Sequence, residues 1–139
     1  MEVRRLTKEE WSNFSEDAHQ VVFDEYRPKG FDRLDYVLLL VEEDRVVSYV
    51  TIKEMDHFSC YWQFGGVMPD FRGQHKSYDV VKAFETYCRE HYLRAGFLVQ
   101  NTNKNMLILA VKSGFSPIGM RTFKGDIFLE FTKEFEDAV

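Results

Sequence analysis

Val67-Met68-Pro69-Asp70-Phe71-Arg72-Gly73-Gln74-His75-Lys76-Ser77 joins two segments of different periodicity. Before it, the apolar run Tyr61 to Val67 predicts a strand. After it, Tyr78 to Tyr92 predicts an amphipathic helix, with Val80, Val81, Phe84, Tyr87 and Cys88 on one stripe. A strand that passes through a basic, glycine-containing loop into a helix N-terminus is suited to bind phosphate. The first helical N–H groups lack intrahelical partners, and the helix dipole favours an anion there. Arg72 and Lys76 add positive charge, so Arg72, Gly73, Gln74, His75, Lys76 and Ser77 form a candidate phosphate cradle.

Upstream, Val3 to Leu6 predicts a short strand. Thr7-Lys8-Glu9-Glu10 has the form of a capping box, with Leu6 and Trp11 placed as a hydrophobic staple. Trp11, Phe14, Ala18, Val21 and Val22 extend a helical period to about Tyr26, and Arg27-Pro28-Lys29-Gly30 breaks it. Tyr36 to Val41 and Val46 to Ile52 predict a hairpin around Glu42 to Arg45. Met55 to Ser59 turns into the strand Cys60 to Val67. Downstream, Phe97 to Gln100 predicts a strand. Asn103 stands as an N-cap and Gly114 as a C′ glycine around a further helix. Ile118 to Phe123 and Ile127 to Phe131 predict a closing hairpin.

The loop resembles the acyl-CoA-binding segment of the GNAT N-acetyltransferases, Q/R-x-x-G-x-G/A. Arg72 matches, while His75 stands at the first Gly and Ser77 at the Gly/Ala position. A second stretch, Asn103 to Phe115, resembles that family's N-x-x-A-x-x-(F/L)-Y-x-x-x-G-F helix. Asn103, Leu109, Gly114 and Phe115 fall in register, and Ala110 stands at the Tyr position. The element order β-α-β-β-β-α-β-α-β-β is similar to the family's layout. The resemblance implies an α/β (α+β) fold. Its central sheet would be mixed, mostly antiparallel and six- to seven-stranded, flanked by three to four helices, in a single domain over residues 1–139. It also implies acetyl-CoA as acyl donor and direct transfer to a primary amine of a small molecule or peptide. A protein of this fold without catalysis, serving as a binding or structural component, is the alternative.

Composition narrows the function. The chain has 139 residues, of which 45% are apolar and 16% aromatic, enough for a packed core. Its net charge of −5 argues against a nucleic-acid binder. Cys60 and Cys88 have neither a disulfide framework nor CxxC spacing, and His19, His57, His75 and His91 form no metal pattern. No apolar run reaches the ~20 residues that a membrane helix needs. A soluble cytoplasmic protein is expected, with no nucleic-acid or membrane partner. A homodimer is an admitted assembly.

The resemblance distributes the remaining roles. Gly66 and Val67 lie where the family's strand parts from its neighbour and pairs with pantetheine, and Asn103 lies where the family contacts that arm. Gly in a strand interior also marks a bulge or a close backbone approach. Tyr61 and Gln63 occupy strand positions where the family carries a Glu or His as general base. Tyr titrates near ~10 and Gln not at all. Packing is the bland reading of Tyr61. His57 and Asp56, in the preceding turn, are alternative bases, and solvation is the bland reading of His57. Ala110 cannot protonate a leaving thiolate. Cys88, on the helix's apolar stripe, belongs to the core. Phe23, Tyr26, Phe31, Arg33 and Tyr36 are candidate walls of an acceptor pocket, or simple packing.

Overall fold

The computed structural model describes residues 2–13, 33–73 and 76–135. The N-terminal strand β1 (Glu2–Thr7) runs directly into helix α1 (Lys8–Ser12). The capping box is formed: Thr7 Oγ1 accepts from Glu10 N–H, and Glu10 Oε1 accepts from Thr7 N–H, each at 3.1 Å. Leu6 packs against the apolar cluster that holds Trp11. The expected helical continuation to Tyr26, its break at Arg27–Gly30, and Phe23, Tyr26 and Phe31 lie outside the described residues.

Strands β2 (Tyr36–Glu42) and β3 (Arg45–Glu54) form the expected hairpin. Glu43 and Asp44 both take positive φ, 51° and 62°, as a two-residue turn between twisted strands requires. Strand β4 (Ser59–Val67) leads through a short 3₁₀ turn (Pro69–Phe71) to helix α2 (Lys76–His91). Strand β5 (Arg94–Gln100), helix α3 (Lys104–Lys112) and the hairpin β6 (Ser116–Phe123) and β7 (Asp126–Glu134) complete the order. Both late strands of the core, β5 and β7, run about three residues beyond the sequence expectation. The apolar pattern ends before the backbone pairing does: Arg94↔Glu134 and Ala95↔Lys133 still pair.

One seven-stranded sheet results, in the order β1-β2-β3-β4-β5-β7-β6. Only β4 and β5 are parallel among these described strands. A parallel pair needs a crossover connection, and α2 supplies it. The two sheet faces carry separate cores. On one face α2 and α3 bury Val80, Val81, Phe84, Cys88 and Ala110 against Leu38, Val50, Phe97 and Phe131. On the other, Trp11 stacks on Tyr49 at 5.5 Å among Val37, Leu39 and Val41. The alternation Val37/Leu38/Leu39/Leu40 serves both faces, which is why β2 reads as one continuous apolar run.

Candidate active site

Strand β4 pairs with β5 at Ser59↔Arg94, Cys60↔Ala95, Tyr61↔Gly96 and Trp62↔Phe97, and the pairing ends there. From Gln63 onward β4 keeps its other neighbour, β3, as far as Val67. The sheet therefore opens as a wedge whose closed end is at Trp62. Phe64 N–H donates to Thr51 Oγ1 at 3.0 Å, and Met68 N–H donates to Val47 O at 2.8 Å, both toward β3. The alternation of strand backbone then turns the polar groups of Gly65 and Val67 toward the wedge. Gly66, expected with Val67 at this edge, instead has its carbonyl accepting from Ser48 Oγ at 2.7 Å. The difference of one residue follows from the period of two. Gly65 must lack a side chain, because a Cβ there would lie 2.5 Å from Tyr49 O.

The wedge mouth meets the loop before α2. A cleft of about 550 Å³ lies between that loop and α3, with Val67, Arg72, Lys76, Asn105, Leu109 and Lys112 among its walls. Three cations and no carboxylate line it among the described residues, so an acidic protein presents a locally positive cleft. Gly73 takes φ +78° with open space where a Cβ would be. That backbone conformation is natural to glycine. Arg72 and Ser77 are exposed at the rim. Lys76 is committed inward: its ammonium bonds both Glu42 oxygens at 2.8 and 3.0 Å. This pair raises the Lys76 pKa and lowers that of Glu42. Gln74 and His75 lie outside the described residues.

Asn103 caps α3, its Oδ1 accepting from Met106 N–H at 3.2 Å. Asn105, two residues on, is the asparagine that lines the cleft. Ala110 is fully buried under the sheet. It is a core position, and the α3 face turned to the cleft carries Ile108, Leu109 and Lys112 instead.

A second cavity, of about 460 Å³, opens beside the wedge's closed end, with Lys53, Tyr61, Gln63, Leu98, Arg121 and Phe128 in its walls. Gln63 Oε1 accepts from Thr51 Oγ1 at 3.2 Å. The Tyr61 hydroxyl donates to Glu130 Oε2 on β7. Arg121 Nη2 holds the other oxygen, Oε1, at 3.1 Å. The sheet order puts β5 between these partners, and Gly96 makes the crossing feasible. A Cβ on Gly96 would sit 3.1 Å from Tyr61 Cε2 and 2.9 Å from Phe131 O. Sequence reasoning singled out Tyr61 and missed Glu130. The signal was present as a lone carboxylate inside the apolar run Ile127 to Phe131.

Of the turn before β4, Met55 lines the second cavity, while Asp56 and His57 line neither. His57 is exposed there, edge-on to Phe58. Asp56 Oδ1 accepts from Phe58 N–H at 2.7 Å. That backbone bond, ahead of its other partners, lowers the Asp56 pKa and makes it a weaker base. Cys60 and Cys88 are buried in mutual contact, Sγ to Sγ 2.6 Å, and burial pushes the Cys88 thiol up. Such a thiol is a poor nucleophile.

The profile of the acetyltransferase (GNAT) family matches residues 2–115. The chain belongs to that family. Acetyl-CoA is the acyl donor of GNAT enzymes, and the chain is an acetyltransferase of this kind. Solved structures share the fold over nearly the whole chain at low identity. The ribosomal-protein alanine N-acetyltransferase of Escherichia coli superposes with a TM-score of 0.77 at 12% identity, over 99% of this chain and 96% of its own. A GNAT acetyltransferase from Elizabethkingia anophelis with acetyl-CoA bound gives 0.75 at 12%, over 96% and 97%. An IAA acetyltransferase from Bacillus cereus gives 0.74 at 11%, over 96% and 99%. No curated protein sequence matches significantly. No described helix is long and apolar enough to cross a membrane.

Proposed function

We propose that this GNAT protein transfers acetyl from acetyl-CoA directly to a primary amine of a small molecule or peptide, both substrates being bound together. One observation carries the reading: the sheet parts at Trp62↔Phe97, and the parted edge leads straight into the cationic cleft. The donor supplies an acetyl group activated as a thioester. Arg72, Lys112 and the first amides of α2 hold its phosphates, with Gly73 letting the loop approach closely. Val67 and Gly65 pair their backbone groups with the extended arm. The Gly65 N–H, nearest the closed end, polarises the thioester carbonyl.

The acceptor enters from the cavity on the far side of Trp62. Its amine must lose a proton before or during attack. The cavity walls carry two cations, Lys53 and Arg121, and the uncharged polar side chains that β4 offers there are Tyr61 and Gln63. His57 and Asp56, the alternative bases, line neither the cleft nor this cavity, so the reading assigns the proton transfer to the β4 wall. Positioning supplies much of the acceleration in such transfers, so the absence of a hydroxyl at Ala110 is tolerable.

Calorimetric titration with acetyl-CoA tests the reading. The unmodified protein should bind it, and Arg72→Glu should weaken binding about 10- to 100-fold, the worth of a charge-assisted contact of ~1.5–3 kcal/mol. Thiol release should follow when phenethylamine, spermidine or a short peptide is added. Absence of binding at millimolar acetyl-CoA would overturn the proposal.

A further inference from the structure

We infer that Glu130, on β7, is the terminal proton acceptor of the reaction and works through Tyr61; this rests on the acetyltransferase reading above. Three observations place it. The Tyr61 hydroxyl donates to Glu130 Oε2, so the phenol is held with its oxygen between the cavity and the carboxylate. Arg121 occupies Oε1, which leaves Oε2 as the oxygen that meets Tyr61. The Glu130 side chain is 16% exposed, so water does not compete freely for it.

The location fits the chemistry. Tyr61 pairs with Gly96, one step before the last paired position, Trp62↔Phe97. It thus stands at the closed end of the wedge, where the acyl group of an inserted donor comes to rest. Its ring spans β5 to reach β7, about two strand spacings or ~10 Å. Gly96 leaves the gap that the ring crosses.

Proton and electron pair can be followed. The amine nitrogen forms its bond to the acetyl carbon, and the C–S bond breaks with its electron pair left on sulfur. The amine's proton passes to Tyr61 Oη while the phenolic proton passes to Glu130 Oε2. Tyr61 ends neutral, as it began, and Glu130 carries the proton until solvent takes it. Tyr61 is thereby the catalytic residue, and Glu130 a positioning residue that orients the phenol and drains its proton. The charged groups facing the pair are Arg121 from β6 and Lys53 from β3, the latter 3.6 Å from Asp35. Strand β5 presents uncharged Gly96 and Leu98, and two residues before Gly96 on the same face it carries Arg94, which bonds Ser59 Oγ at 3.0 Å and lies 3.8 Å from Asp56.

The test uses Glu130→Gln and Tyr61→Phe in the full chain, with whichever of phenethylamine, spermidine or an alanyl peptide the parent acetylates fastest. Acetyl-CoA affinity and melting temperature are measured on the same samples. Both variants should bind acetyl-CoA like the parent and stay folded, while kcat falls about 100-fold or more, the usual worth of proton-transfer assistance. Their rates should then climb tenfold per pH unit with free amine, where the parent's profile is flatter. Glu130→Asp should recover part of the rate. Variants within threefold of the parent at every pH, with acetyl-CoA bound normally, would overturn the relay alone. Failure of the parent to bind acetyl-CoA, or to acetylate any of the three amines, would overturn the acetyltransferase reading and the relay with it.

Discussion

Replacing Gly96 with alanine tests the packing and the site together. The added Cβ would lie 2.9 Å from Phe131 O, 3.1 Å from Tyr61 Cε2 and 3.2 Å from Thr132 Cγ2. The closest of these is backbone in a paired strand, so relief must come from β7 or from the tyrosine ring. Overpacking of this kind costs typically 1–3 kcal/mol. An unfolding entropy of ~2.1 cal/mol/K per residue gives ~0.29 kcal/mol/K for 139 residues, so the melting temperature should fall by about 3–10 °C. Gly119→Ala is the matched control. Nothing lies within 4 Å of a Cβ there, and alanine in a strand gains ~0.5–1 kcal/mol over glycine. Differential scanning fluorimetry reads both. Acetyl transfer should drop in Gly96→Ala more than acetyl-CoA binding does, because Tyr61 is what moves. A Gly96→Ala melting point equal to the parent's, or equal shifts in the two variants, would refute the reasoning.

Thr7→Ala opens the capping box and should cost about 1 kcal/mol, seen as a few degrees in melting temperature with acetyl-CoA affinity unchanged. Lys112→Glu reverses one wall of the cationic cleft and should weaken acetyl-CoA binding by calorimetry without lowering the melting point. Burial pushes the Tyr92 phenol from 10.0 up to about 12. A folded pKa raised above the unfolded one gives stability that is complete below pH 10 and is lost as pH rises toward 12. Tyr92→Phe should therefore flatten the fall of melting temperature across that alkaline interval.

Much of the fold was legible because local and tertiary signals agreed. The capping box, both hairpin turns and the α2 stripe are decided by neighbours within a few residues, and each appears where the pattern puts it. The family resemblance supplied the rest of the order. What the sequence did not reveal was set by register. Gly66 and Val67 are adjacent in the chain, yet one faces β3 and the other the wedge. No composition rule distinguishes them. Asn103 and Asn105 divided their roles in the same way, one capping the helix and the other lining the cleft. Glu130 was hidden because its partner lies 69 positions upstream, and only strand order brings β7 within reach of β4. Lys76 was recognised as basic, but its commitment to Glu42 depends on how β2 ends against α2.

The parting of β4 from β5 also divides the molecule mechanically. Strands β1 to β4 form one antiparallel plate, and β5, β7 and β6 form another; four parallel residue pairs stitch them along the sheet. A molecule seated in the wedge touches both plates and acts as a clasp across the seam. The Gly65 and Val67 amides on that edge have no ladder partner in β5, so they should exchange hydrogen with solvent quickly in the empty protein. Donor binding should slow them selectively, together with the amides of the stitched pairs, since the two plates can then separate only by first releasing the clasp.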